Sequence, residues 1–289
     1  MVPAAAPTST FGAYARLMRL DRPIGILLLL WPALWALWFA AGGLPPLGTL
    51  AIFLAGVVLT RSAGCVINDY ADRWLDPHVE RTRDRPLAAG EVSGAEAIAL
   101  FVVLMVFAFG LVLLTNRLTI YLALVAAALA TLYPFAKRVI WFPQVVLGAA
   151  FAMSIPMAYT AVRGELDTTA GLLFCATLLW TIAYDTLYAM VDREDDLKAG
   201  ARSTAILFGD LDLTAVSVLH GSALLTLALV GNKAKLGWPF WLGLLVATLL
   251  MAWQIYQSRK RDRASCFRAF LNNNWVGMAV FVGIAGAML

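Results

Sequence analysis

The chain has 289 residues, 61% of them hydrophobic and only 14% charged, with a formal net charge of +4. Soluble domains carry about a quarter charged residues and disordered chains are poor in apolar ones, so both classes are excluded. The positive charge is no nucleic-acid signal, because basic residues beside membrane spans serve orientation and lipid contact.

Met1 to Thr10 is small and polar, without the basic region and apolar core of a cleaved signal peptide. Nine apolar blocks then follow, near residues 24–42, 47–67, 97–115, 118–136, 142–162, 168–188, 212–231, 237–256 and 269–288. Each approaches the roughly 20 residues a helix needs to cross a bilayer. Lipid offers no partner to open backbone groups, which predicts helices. No long period-two alternation occurs, which disfavours a transmembrane barrel. The expected fold is an all-α integral membrane bundle of about nine helices in a single domain, 1–289. Two acidic motifs, each ending an apolar helix, suggest halves at about 15–140 and 141–289.

Charge placement orients the bundle. With a cytoplasmic N-terminus, seventeen of the 22 basic residues fall on the inner side. Only Arg117, Arg163, Lys233 and Lys235 fall outside, and Arg61 lies within the second block near its inner end. This is a strong positive-inside bias. The connections at Asn68–Glu96 and Ala189–Asp210 are expected to be long inner loops capping a site.

The second block runs into Asn68-Asp69-Tyr70-Ala71-Asp72-Arg73-Trp74-Leu75-Asp76, and the sixth into Tyr184-Asp185-Thr186-Leu187-Tyr188-Ala189-Met190-Val191-Asp192-Arg193-Glu194-Asp195-Asp196. Residues three or four apart share a helix face. Asn68, Asp72 and Asp76 therefore form one stripe if the helix continues to Asp76. Asp185, Tyr188, Asp192 and Asp196 form another. The two segments hold eight of the 18 acidic residues. Carboxylates at such density repel one another unless a cation lies between them. Magnesium fits, being hard and bound through one or two carboxylates plus substrate phosphates. Zinc would recruit His or Cys. Cys65, Cys175, Cys266, His78 and His220 are too scattered for that. Arg81, Arg83 and Arg85, then Lys137-Arg138, then Lys198 and Arg202 add cations suited to phosphate on the same side.

These motifs resemble the UbiA superfamily of intramembrane prenyltransferases, most closely its branch acting on 4-hydroxybenzoate. Leu20-Asp21-Arg22-Pro23-Ile24-Gly25 and Trp31-Pro32 look like its opening motif. Asn68 to Asp76 fits N-D-x-x-D-x-x-x-D, and Arg81-Thr82 and Arg85-Pro86-Leu87 fit the segment after it. Tyr184 to Asp196 fits Y-D-x-x-Y-A-x-x-D-x-x-D-D, and Gly200 to Gly209 fits the stretch beyond. Arg202 stands where the family usually has Lys.

The resemblance implies a nine-helix bundle whose central cavity opens sideways to lipid. It implies Mg2+ held by Asn68, Asp72 and Asp76 on one side and by Asp192 and Asp196 on the other. Arg61, Arg85 and Lys137 are the candidate partners of a polyprenyl diphosphate, and Tyr188 lies beside them. Arg22, Arg138 or Arg202 would meet the carboxylate of 4-hydroxybenzoate. Asp72 is expected to serve the chemistry, and Asp192 or Asp185 to orient the phenol or accept a proton. Two rivals stay open: a relative using another aromatic acceptor, and a cation-coupled secondary transporter. A transporter would place its acids near the bilayer midplane.

Overall fold

The computed structural model describes residues 10–74, 76–78 and 82–289, without the side chains of Thr10, His78, Lys137, Arg138 and Ala199. A short helix, α1 (Thr10–Leu17), precedes α2 (Ile24–Ala41) and α3 (Leu47–Asp72). Then come α4 (Gly94–Val112), α5 (Arg117–Val139), α6 (Pro143–Ala152), α7 (Ser154–Arg163) and α8 (Thr168–Ala199). The chain closes with α9 (Thr204–Phe208), α10 (Asp212–Lys233), α11 (Trp238–Gln257) and α12 (Arg263–Ala287). The described residues contain no strand.

Eight helical segments are long and apolar enough to cross a membrane. Two of them are composite, with α6 and α7 forming Pro143–Arg163 and α9 and α10 forming Thr204–Lys233. The break in the former follows from Pro156, which lacks an N–H and clashes with the carbonyl four residues earlier. The ninth expected span coincides with α12, whose 25 residues include Asn272, Asn273 and Asn274 and fall short on apolarity. Those asparagines face protein. Asn273 Oδ1 accepts from Trp180 Nε1 at 2.8 Å, Asn274 Oδ1 from Trp31 Nε1 at 3.0 Å, and Asn272 Oδ1 from Gln254 Nε2 at 3.0 Å. One polar turn thus ties α12 to α8, α2 and α11, each bond contributing about 0.6–1.7 kcal/mol in a membrane bundle.

Two boundaries differ from the sequence reading. The segment after Tyr188 is not a long loop, because α8 runs on to Ala199 and ends on Gly200 with φ 70°. Its terminal acids are offset by Arg193, Lys198 and pairing to Arg263, so the helix tolerates them. Conversely, α3 stops at Asp72 and Asp76 opens a separate 3-10 turn, Asp76–His78. Pro77 cannot continue an α-helical ladder, so Asp76 leaves the Asn68–Asp72 stripe. From Thr82 the chain does remain a loop up to Ser93, the cap of α4.

The spans follow one another around the bundle, and α12 closes the ring on α2. Small residues permit the tightest contact. A Cβ on Gly243 of α11 would stand 2.5 Å from the Ala279 carbonyl oxygen and 2.9 Å from Gly283 Cα. The core centres on Trp35 and Trp180, stacked at 5.3 Å, with Tyr184 edge-on to Trp180 at 5.2 Å. The weakest joint lies between α4 and α5, which hardly touch. The protein is a multi-pass membrane protein.

Candidate active site

One cavity of about 1300 Å³ occupies the ring's interior. Pockets for drug-sized molecules occupy roughly 300–1,000 Å³, so this one has room for a longer ligand. Its two ends differ chemically. One end carries Asn68, Asp72 and Asp76, and also Asp185, Tyr188, Asp192 and Asp196. The two motifs, distant in sequence, thus border one space. The other end is apolar, lined by Phe101, Met105 and Phe109 of α4 and by Ala123, Ala127 and Ala130 of α5. Val106, Phe109 and Leu124 line it while being 64%, 42% and 51% exposed, so the cavity opens outward between α4 and α5.

The acidic residues divide by role. Asn68 and Asp72 share a face one turn apart, with Asn68 Nδ2 3.4 Å from Asp72 Oδ2. Asn68 Oδ1 is buried and accepts no hydrogen bond. Asp69 turns away from this pair. Its carboxylate accepts from Arg19 at 2.9 and 3.0 Å and from Arg85 at 3.0 Å. Arg19 adopts φ 59° to reach it. Arg85 also donates to both Asp76 oxygens, at 2.9 and 3.1 Å. Burial raises the Asp76 carboxyl above the ordinary carboxylate range, against the pull of Arg85. Arg85, expected at the diphosphate, thus bridges two carboxylates and fastens the loop to the end of α3.

On α8 the spacing of Asp185, Tyr188, Asp192 and Asp196 sets them on the cavity side. Glu194 and Asp195 instead pair with Arg263 of α12, at 3.3 and 3.0 Å. Among the described residues, no three His, Cys, Asp or Glu converge tightly enough to hold a metal by themselves.

The expected cations fare differently. Arg22 lies at the cavity's edge, 80% exposed and 3.5 Å from Asp21. Arg202 borders the cavity, donates to the Val139 carbonyl and lies over the Trp141 ring at 5.0 Å. The side chains of Lys137 and Arg138, and all of Arg81, lie outside the described residues. Arg61 lines the cavity from within α3, and its buried Nε has no hydrogen-bond partner among the described residues. Its guanidinium stands 5.9 Å from the Phe151 ring. A desolvated cation without a carboxylate partner is costly, which marks the spot as a place for an anion.

Gly25 makes room for that cation. A Cβ there would stand 2.4 Å from Arg61 Nε and 2.6 Å from Nη2. Gly25→Ala should therefore displace the guanidinium at the far end of a flexible side chain and leave α2 helical. We expect turnover to fall about tenfold or more with the thermal midpoint unchanged, read from an activity assay and a melting curve on the same preparation.

Comparison with known proteins bears on this arrangement. The profile of the UbiA prenyltransferase family matches residues 29–278. The chain belongs to that family. A 4-hydroxybenzoate octaprenyltransferase of Xanthomonas campestris pv. campestris (strain B100) is 59% identical over 288 residues, covering 100% of this chain and 96% of the relative. Another, from Xylella fastidiosa (strain 9a5c), is 57% identical over 272 residues, covering 94% and 91%. The fold matches the apo structure of a UbiA homologue from Aeropyrum pernix K1, with a TM-score of 0.81 and 24% identity over 91% of this chain and 98% of that one. It also matches a UbiA homologue from Archaeoglobus fulgidus bound to GPP and Mg2+, with a TM-score of 0.73 and 19% identity over 96% and 99%.

Within this UbiA-family chain, the sequence reading passed over Gly25 as a functional position. Its signal was available: a glycine after Arg22-Pro23 at the start of a helix, where glycine is otherwise unfavourable. Nothing in the sequence linked it to Arg61.

Proposed function

We propose that the chain transfers an octaprenyl group from octaprenyl diphosphate to the ring carbon ortho to the hydroxyl of 4-hydroxybenzoate, in ubiquinone biosynthesis. The products are 3-octaprenyl-4-hydroxybenzoate and diphosphate. One observation carries the reading: a single cavity joins two carboxylate motifs and an unpartnered Arg61 to an apolar slot that opens outward between α4 and α5. A diphosphate headgroup belongs at the first end and an isoprenoid tail in the slot. The names of the relatives at 57 and 59% identity support the acceptor and the tail length.

The donor set suits Mg2+. It offers only oxygen, includes the unpartnered Asn68 Oδ1, and leaves coordination positions for phosphate oxygens, as magnesium characteristically requires. Asn68 and Asp72 would hold metal from one side and Asp192 and Asp196 from the other, with Asp76 close to the first pair. When bound, the metal neutralises charge that develops on the departing diphosphate.

Arg61 offers a positive charge to an anionic group of a substrate inside the bundle, where water does not weaken it. The allylic C–O bond breaks and the electron pair leaves with diphosphate. The ring carbon beside the phenol oxygen forms the new C–C bond. Its proton then leaves to a carboxylate, with Asp192 or Asp185 in the cavity wall to accept it. Tyr184, Tyr188 and Phe270 line the cavity, with Trp180 packed behind Tyr184, and this aromatic wall would keep water from the cation. The distribution of basic residues supports a cytoplasmic position for this end in a bacterial-type inner membrane.

Mass analysis of products formed from 4-hydroxybenzoate and a series of polyprenyl diphosphates tests the reading. The expected product is a ring-prenylated acid, formed in the presence of Mg2+ and absent with EDTA. Metal-independent product, or product from other aromatic acids only, would refute it.

A further inference from the structure

Helix α8 has 32 residues and at 1.5 Å each is about 48 Å long. A bilayer core is about 30 Å thick, so roughly three turns of α8 stand clear of the apolar layer. Asp192 and Asp196 lie on that overhang. An overhanging helix end is free to fray and rotate unless it is braced, and these two carboxylates need a fixed direction to meet a metal across the cavity.

Arg263 holds this end through Glu194 and Asp195, and a second brace lies on a neighbouring face of the helix. Arg193, adjacent to Asp192, donates to Asp212 at the start of α10. Asp212 is fully buried. It also accepts from Arg261 Nε at 3.0 and 3.1 Å and from the Leu213 backbone N–H at 2.6 Å. Arg261 belongs to the α11–α12 connection, adopts φ 54°, and is tied back to the Asp210 carbonyl at 2.8 Å. Two arginines from two different elements thus converge on one buried carboxylate at a helix N-terminus, where the dipole favours negative charge. No part of this cluster lines the cavity.

We propose that Asp212 is a positioning residue for the metal–diphosphate site: through Arg193 it sets the rotation of the α8 end and so aims Asp192 and Asp196. The inference rests on the proposed function, because it presupposes that those two carboxylates meet a metal. Neighbouring positions on a helix are about 100° apart. Holding Arg193 on α10 therefore fixes the rotation at which Asp192 and Asp196, to one side of it, border the cavity. Within the same acidic motif, Arg193 therefore anchors the helix while Asp192 and Asp196 serve the site.

The test compares the two arms of the cluster. Arg193→Gln cuts the arm to α8, whereas Arg261→Gln cuts the arm to the α11–α12 connection and leaves Arg193 on Asp212. Binding of Mn2+ to the detergent-solubilised protein is followed by the electron paramagnetic resonance signal of the free ion, with a non-hydrolysable geranyl thiolodiphosphate present. Arg193→Gln and Asp212→Asn should raise the apparent Mn2+ Kd about tenfold, with the KM for 4-hydroxybenzoate unchanged. Arg193→Lys should recover part of the loss. Arg261→Gln should stay within twofold of the natural protein even if its thermal midpoint falls. Should Asp212→Asn not fold, the contrast between Arg193→Gln and Arg261→Gln decides. Equal effects from both arms, or none from Arg193→Gln, overturn the positioning role. A natural protein that takes up no Mn2+ overturns the underlying metal reading instead.

Discussion

Asp72→Ala should reduce prenyl transfer by about 10³-fold while the protein still folds, and Asp192→Asn should do the same within an order of magnitude. The two residues stand on α3 and α8 and border one cavity. If each holds metal from its own side, losing either leaves the diphosphate charge half-neutralised, and the effects will be far from additive in the double variant. The neighbouring Asp69 makes the control. It is buried and bound by Arg19 and Arg85, so Asp69→Asn takes the carboxylate from Arg19, leaves Arg85 only Asp76, and should lower stability by roughly 3 kcal/mol. Melting curves and turnover measured together separate the cases: Asp72→Ala loses activity first, Asp69→Asn loses stability first. A variant Asp72→Ala with undiminished turnover would sink the proposed metal role.

Arg61→Gln should lose about 10²-fold or more in turnover yet leave the thermal midpoint unchanged or raised. The reason lies in its surroundings. The Arg61 Nε is buried without a hydrogen-bond partner, and its guanidinium faces a phenylalanine ring rather than a carboxylate. Removing an uncompensated desolvated charge relieves a cost, whereas removing a paired charge creates one. Activity falling while stability holds is the mark of a residue kept for a ligand. Steady-state kinetics with each substrate varied in turn identify the anion it serves. A raised KM for 4-hydroxybenzoate points to its carboxylate, and a raised KM for the prenyl donor points to diphosphate.

Much of the site was legible because its chemistry is written in one-dimensional spacing. Asn68 with Asp72, and Asp185 with Tyr188, Asp192 and Asp196, recur at three- and four-residue intervals, and helix geometry alone sets them on a face. The functions of the remaining charges were not legible in this way. Asp76 was expected on the same stripe as Asp72, but Pro77 ends any continuation of α3, and Asp76 is held from the side by Arg85. Glu194 and Asp195 add to the acidic density of the second motif, yet each faces Arg263, 69 and 68 residues further on. Whether a cation is paired or waiting depends on which carboxylate lies beside it, and those partners arrive from other helices.

The two acidic motifs therefore carry both lessons. Composition and apolar block length determined by themselves that the chain crosses a membrane repeatedly, because lipid tolerates little else. The motifs' internal spacing determined which carboxylates share a helix face. Only the tertiary structure decided that the two faces border one cavity and that Gly25 leaves room for Arg61. It alone decided that α8 continues beyond Tyr188 to Ala199 and that Arg193 near its end meets Asp212. Local patterns follow from bonds within a helix, whereas convergence depends on packing between helices far apart in the chain, and a single sequence does not record that distance.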